Sequence, residues 1–196
     1  KSVLEHIDRS CKISWFVLNA GVSSRNVEKI EKSITVDNLK LHWLFTTNEC
    51  FKDIRPSAFI SMAAYKKILL FNLVPAEIEK VIYLDADLIL RRSVVELWNI
   101  PFNGKILLAV QDQAIPFMDA KAALHNFNKA APFLETQIAI KDYSLLGIPS
   151  KAKYFNSGVM TVNLELWRTE NAESRVVQFL NGNKDDNRYF DQDGFN

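Results

Sequence analysis

Tyr83-Leu84-Asp85-Ala86-Asp87-Leu88 is the stretch of this sequence best suited to chemistry. Two carboxylates separated by one small residue follow directly on the apolar run Val81-Ile82-Tyr83-Leu84. In parallel α/β sheets, ligands bind beyond the carboxyl ends of the strands, which is where Asp85 and Asp87 fall. Residues two apart on a strand lie roughly 6–7 Å apart, so a shared ion requires the chain to turn there, and Ala86 is small enough to allow it. Paired carboxylates suit a hard divalent cation such as Mn²⁺ or Mg²⁺, shared with substrate phosphates. The motif alone is weak. With aspartate at twelve of 196 positions, chance yields on the order of one such pair, and Asp191-Gln192-Asp193 is a second. Context separates the first from a solvated turn, because two acids straight after a buried strand are costly if they only turn the chain.

Lys67 is the next candidate. It shares a helical stripe with Ile60, Ala64 and Phe71, while Lys66 points elsewhere. A lysine so placed either snorkels to the edge of the stripe or reaches an anionic ligand above the sheet. Other chemistries lack their residues. There is no glycine-rich phosphate loop, no dinucleotide fingerprint and no Gly-x-Ser-x-Gly elbow. No zinc spacing surrounds either cysteine. His6, His42 and His125 are isolated and read as surface or packing residues. The basic residues between Lys141 and Arg175 are scattered, which reads first as a solvated face and second as an anion site.

The elements that must position these groups follow from periodicity. The run 13–18, Ile-Ser-Trp-Phe-Val-Leu, predicts a buried strand closed by Asn19-Ala20-Gly21. Ser23 or Ser24 caps a helix with Val27, Ile30 and Ile34 on one face. Leu39, Leu41, Trp43 and Phe45 alternate inward along a second strand. Pro56-Ser57 opens the helix that carries Lys67, and Val81–Leu84 is a third strand. Strands are also expected over 106–110 and 158–163, and a helix over 174–180 ends at Asn181-Gly182 as a left-handed cap. Strand alternating with helix is the pattern of a parallel α/β sheet with helices on its faces. The opening helix, with Val3, Leu4 and Ile7 at helical spacing, has no start signal before it.

The chain length of 196 residues, 48% of them hydrophobic, allows a single α/β domain over residues 1–196. With 24 basic against 23 acidic side chains, the charge balance argues against a nucleic-acid binder. No apolar run of about 20 residues crosses a membrane, no secretory leader is visible, and Cys11 and Cys50 form no disulfide framework. These features predict a cytoplasmic protein.

Three ordered stretches resemble one known family. They are Tyr83-Leu-Asp-Ala-Asp-Leu-Ile-Leu90; Tyr154-Phe-Asn-Ser-Gly-Val-Met-Thr-Val-Asn163 with Leu166-Trp-Arg168; and Asp191-Gln-Asp-Gly-Phe-Asn196. Together with Phe16-Val-Leu-Asn-Ala-Gly21 they are similar to the glycosyltransferase family 8 enzymes. These retaining hexosyltransferases include bacterial lipopolysaccharide galactosyl- and glucosyltransferases and the glycogenins. The resemblance implies a GT-A fold (a mostly parallel sheet flanked by helices, with a Rossmann-like nucleotide-binding core), a nucleotide-sugar donor such as UDP-glucose or UDP-galactose, Mn²⁺ or Mg²⁺, and a glycan or glycolipid acceptor. By position, Asp85 and Asp87 match the metal-binding pair, with Asp85 and the Ala86 backbone also near the ribose. Lys67 stands where many members carry arginine beside the donor. Asn156 matches a donor-sugar contact. Asp191 matches the acid that holds sugar hydroxyls, and Gln192 the amide on the face of the anomeric carbon opposite the leaving group. The family's opening strand belongs before Lys1 and its closing His-x-x-Gly-x-x-Lys segment after Asn196, so the resemblance implies an internal portion of a longer enzyme. Acceptor recognition is expected within 111–150 and in the closing segment, and membrane association at the inner face would run through a segment outside this sequence. Two rival readings share the apolar strand and paired acids: a haloacid-dehalogenase-like phosphatase, and a non-catalytic sugar-nucleotide-binding module.

Overall fold

The computed structural model describes residues 2–46, 62–183 and 188–196. After a short helix α1 (Ser2–Glu5), the aromatic and branched residues of β1 (Ile13–Leu18) pair in parallel with β2 (Leu39–Leu44), Ile13 opposite Leu39 and Leu18 opposite Leu44. Between them runs α2 (Ser24–Ser33), entered through Ser23 in extended conformation without a side-chain capping bond. This two-stranded sheet is covered on both faces. Phe16 and Leu44 pack on the main core, while the Trp43 indole donates to Glu31 on α2 at 2.9 Å. The inward alternation expected through Phe45 therefore fails: Phe45 is exposed, and Leu44 is the residue turned to the main core. β2 is at most half-buried beyond Leu39, with the core on one side and α2 on the other, so its residues do not sort into inside and outside.

The helix start expected at Pro56-Ser57 lies outside the described residues. Within them, α3 (Met62–Leu73) carries Lys67 and Phe71 on the expected stripe, and both are buried. Tyr65, Lys66, Ile68 and Leu69 are buried as well, so α3 is enclosed on most sides, and Lys66 is as deeply placed as Lys67. The second sheet has the order β3 (Lys80–Leu84), β5 (Phe155–Asn163), β4 (Leu107–Gln111), and β5 is antiparallel to both neighbours. β3 and β4 consequently point the same way, with β5 the reversed strand between them. The α/β class holds. The reversal comes from the long excursion over 112–154, which brings the chain back at the same end of the sheet, Phe155 opposite Gln111, so that β5 runs against β4, a direction that local periodicity does not encode.

The β4–β5 ladder breaks beside its end. Ala109 pairs with Met160, but Val110 pairs with Asn156, leaving Ser157, Gly158 and Val159 without partners on β4. Bulges of this kind re-aim side chains and recur next to functional sites. A short α4 (Val95–Trp98) precedes β4, and the excursion after β4 contains α5 (Ala120–Ala123) and α6 (Phe127–Ala130), with a separate small core of Ile115, Met118, Ala139, Ile140 and Tyr154.

Beyond β5, Asn163 caps α7 (Leu164–Thr169) by accepting from the Leu166 amide at 3.0 Å. Trp167 is buried against Phe71, ring centres 5.0 Å apart and nearly perpendicular. α8 runs from Ala172 to Gly182, so the expected left-handed stop at Asn181-Gly182 does not occur. Asn183 ends the helix instead, donating from its side-chain amide to the Phe179 carbonyl at 2.8 Å, which satisfies a terminal acceptor without a glycine turn. The last element is α9 (Asp191–Phe195), packed on α8 at Gly194, where a Cβ would meet Val176 and Leu180 at 2.9 and 3.0 Å.

Arg168 ties the connection between α3 and β3. Its guanidinium donates to the carbonyls of Val74, Pro75, Ala76 and Ile78 at 2.9–3.1 Å. Hydrogen bonds to a charged group contribute about 1.5–3 kcal/mol each when buried, and less where, as at Pro75 and Ala76, the bond is exposed and water can replace it. Arg168→Ala is expected to lower stability by about 2–3 kcal/mol, read as a lower urea midpoint with an unchanged slope. Arg168→Lys should recover only part of it, since one ammonium cannot span four carbonyls.

Candidate functional site

β3 ends at Leu84, and the chain turns at Ala86-Asp87 as it leaves the sheet. Asp85 stays attached to the sheet: its amide donates to the Gly158 carbonyl at 2.9 Å. Its carboxylate accepts from the Tyr83 hydroxyl at 2.6 Å and lies 3.9 Å from the Lys67 ammonium. The other Asp85 oxygen occupies the space over Gly158, where a Cβ would come within 2.8 Å of it and 3.0 Å of Asn156 Oδ1. The Tyr83 hydroxyl is driven to a higher pKa than usual, first by burial and then by its bond to the Asp85 carboxylate.

The centre of the cluster is a buried ion pair. Lys67 Nζ lies 2.6 Å from Asp191 Oδ2, and both side chains are about nine-tenths buried. The Ser157 hydroxyl accepts from Lys67 at 2.9 Å and donates to the same Asp191 oxygen at 2.9 Å, closing a triangle. Lys67 also faces the rings of Tyr83 and Phe195. Burial raises the Asp191 carboxyl above the ordinary carboxylate value, opposed by the Lys67 charge and by hydrogen bonds from Lys67 and Ser157.

Gln192 is held at both ends of its carboxamide. Its oxygen accepts from the Ser157 amide at 3.1 Å, and its nitrogen donates to Asp112 Oδ2 at 3.2 Å. Asn156 donates to the same Asp112 oxygen at 3.3 Å and accepts from the Gly158 amide at 2.9 Å. The other Asp112 oxygen takes the amides of Ala114 and Ile115, which fixes the turn after β4. The second Asp-x-Asp is thus divided. Asp191 faces Lys67, whereas Asp193 is buried among Tyr154, Arg188 and Tyr189: the Tyr154 hydroxyl donates to it at 2.6 Å, and the two backbone amides at 2.9 Å.

Lys67, Asp85, Asn156, Asp191 and Gln192 therefore meet in one network, while Ala86 and Asp87 stand on the exposed turn beside it. Among the described residues no group of three histidine, cysteine, aspartate or glutamate side chains is arranged to hold a metal ion. The histidines lie elsewhere, His6 beside the Ser2 carbonyl, His42 stacked on Phe16 and His125 exposed. Sequence reasoning missed Ser157, Asp112 and Asp193 as members. Asp112 carried a usable signal: like Asp85, it is an acid just past an apolar strand.

The helix-flanked sheet with this cluster at the strand ends is the GT-A glycosyltransferase fold. The chain superposes on the galactosyltransferase LgtC, solved in complex with donor and acceptor sugar analogs, with a TM-score of 0.74 and 24% identity, covering 100% of this chain and 62% of that one. It belongs to glycosyl transferase family 8, whose family model matches residues 1–196. That membership sets aside the phosphatase reading. General stress protein A of Bacillus subtilis (strain 168) is 24% identical over 198 residues, covering 100% of this chain and 61% of the relative. The lipopolysaccharide 1,2-glucosyltransferase of Escherichia coli (strain K12) is 22% identical over 189 residues, covering 96% and 50%. The chain thus spans about half to three-fifths of the length of these relatives.

Removing Lys67 tests the ion pair. Lys67→Met leaves Asp191 buried without a cation, at a cost of about 3–5 kcal/mol near neutral pH. The carboxyl's folded-state value, already raised, then rises further, so the charged form opposes folding and stability falls as pH climbs through that value. Urea midpoints of both proteins between about pH 4 and pH 8 should show the variant's deficit shrinking toward acid. A deficit that stays constant with pH would refute the pairing.

Proposed function

We propose that this chain carries the donor site and reaction centre of a retaining hexosyltransferase, which moves a hexose from UDP-glucose or UDP-galactose to a glycan or glycolipid. The observation that carries the reading is the convergence of Lys67, Asp85, Asn156, Asp191 and Gln192 at the ends of β3 and β5. Family membership and the sugar analogs named for the LgtC complex support it. The same reading sets the enzyme in the cytoplasm, at the inner face of the membrane, where a glycolipid acceptor is met. No helix among the described residues is long and apolar enough to cross that membrane.

Asp85 and Asp87 would hold a divalent ion, Mn²⁺ or Mg²⁺. The donor set fits in chemistry, since carboxylate oxygens suit hard cations, and one Asp85 oxygen points into space that the missing side chain of Gly158 leaves free. Bound, such an ion would offset the charge that develops on the diphosphate as the sugar–phosphate bond breaks. The chain's own residues do the rest. Lys67 adds a fixed positive charge beside that diphosphate. Asp191 receives sugar hydroxyls, its position set by Lys67 and Ser157. Asn156 touches the donor sugar, and the Ala86 backbone and Asp85 lie near the ribose. Gln192 sits across the anomeric carbon from the leaving group, its amide aligned by Ser157 and Asp112. The acceptor hydroxyl attacks on the same face from which the diphosphate departs and passes its proton to a leaving phosphate oxygen, so retention needs no protein base.

Titration calorimetry with UDP-glucose and UDP-galactose, with and without Mn²⁺, tests the reading. Binding should require the metal and vanish in Asp87→Ala; unchanged affinity would sink the site assignment, and hydrolysis of a generic phosphoester would sink the transferase. Metal-dependent binding without any sugar transfer by the full-length protein would favour the non-catalytic module. Gly158→Ala should weaken metal-dependent UDP binding by about tenfold or more, because relieving so close a contact displaces the Asp85 carboxylate at a cost of about 1–3 kcal/mol.

A further inference from the structure

The second Asp-x-Asp leaves one acid without a part in the donor site. Asp193 is 4% exposed, and the Tyr154 side chain beside it is fully buried. Burying a carboxylate is costly, and an apolar side chain would fill the same space at less expense. All the bonds found for Asp193 run to the turn ahead of α9 and to the floor beneath it. Oδ2 accepts from the backbone amides of Arg188 and Tyr189, and Oδ1 from the Tyr154 hydroxyl.

That turn is unusual. Phe190 has φ 56° and ψ −123°, a conformation that residues with side chains rarely adopt and that persists only where its surroundings impose it. Asp191 and Gln192 follow immediately. α9 has five residues, too few to hold a helix by its own hydrogen bonds. Its far end is pinned by Asn196, whose side chain exchanges bonds with the Phe155 amide and carbonyl at 2.8 and 2.9 Å. Its entry is pinned by Asp193.

We infer that Asp193 is the positioning residue of the reaction centre, its carboxylate locking the Arg188–Phe190 turn so that Asp191 reaches Lys67 and Gln192 reaches Ser157 and Asp112. It acts through Asp191 and Gln192, and its oxygens are occupied by Tyr154 and the turn amides. The inference rests on the hexosyltransferase reading for its kinetic readout alone.

The test compares Asp193→Ala with Asp193→Asn in the full-length protein. Asparagine can keep the arrangement, its oxygen accepting both amides and its nitrogen donating to the Tyr154 hydroxyl. A misplacement of about 1 Å at a reaction centre costs on the order of a hundredfold in rate. Asp193→Ala should therefore lower kcat for UDP-hexose turnover by about a hundredfold while the Kd for UDP with Mn²⁺ stays within about threefold, and Asp193→Asn should recover kcat to within about tenfold of the wild type. The side-chain amide signals of Gln192 in a ¹⁵N NMR spectrum should shift in the alanine variant and remain in place in the asparagine variant. Three results would overturn the inference: an alanine variant with native kcat and native Gln192 signals, an asparagine variant as slow as alanine (the carboxylate would then act chemically), or loss of UDP binding together with turnover. If the wild type turns over no UDP-hexose, the hexosyltransferase reading fails, and the Gln192 signals still decide the positioning role.

Discussion

The contact between the Lys67 ammonium and the Asp191 carboxylate is the constraint on which the rest of the site depends. It joins α3, from the first half of the chain, to α9 at its end, and Ser157 on β5 completes both partners' hydrogen bonding. Two buried charges are tolerable only when paired and satisfied in this way. The surroundings follow from that requirement. Phe71 packs edge to face on both Trp167 and Phe195, and the rings of Tyr83 and Phe195 face the ammonium. Polar groups fixed in a dry setting need no rearrangement when a ligand's charge develops near them, which is the physical basis of electrostatic preorganisation.

The bulge in β5 is what brings the remaining groups to this pair. Because Ser157, Gly158 and Val159 have no partners on β4, the Ser157 amide is free to bind the Gln192 carboxamide, and Asn156 turns to Asp112. On the other side Gly158 still accepts from Asp85. One irregularity in one strand thus links the acid after β3, the acid after β4 and the amide of α9.

Parts of this arrangement were legible from residue types. Asp85 and Asp87 follow an apolar strand, and a strand end is where ligands gather in such sheets. Lys67 could be singled out because helical spacing put a cation among apolar residues. Asn156, Asp191 and Gln192 came from resemblance, since neither their types nor their spacing distinguishes them from ordinary polar residues. Ser157 and Asp193 were not legible, because their roles arise from partners more than thirty residues away, or from a turn whose Phe190 has no sequence signature. The same limit applies to the fold. The strands β1, β2 and β3 show in local periodicity, whereas the reversal of β5 and the outward turn of Phe45 depend on connections and neighbours.

The sequence by itself determined the element types, the apolar helix that could shelter a lysine and the acids at strand ends, because these rest on short-range spacing and on the cost of placing charge beside apolar residues. It also determined family membership, through three motifs in fixed order. Tertiary structure alone decided which of the two acid pairs would be split, with Asp191 turned to Lys67 and Asp193 to the turn behind it, and which amide would align Gln192. Those choices depend on burial and on the register of β5, quantities that exist only once distant segments are packed together.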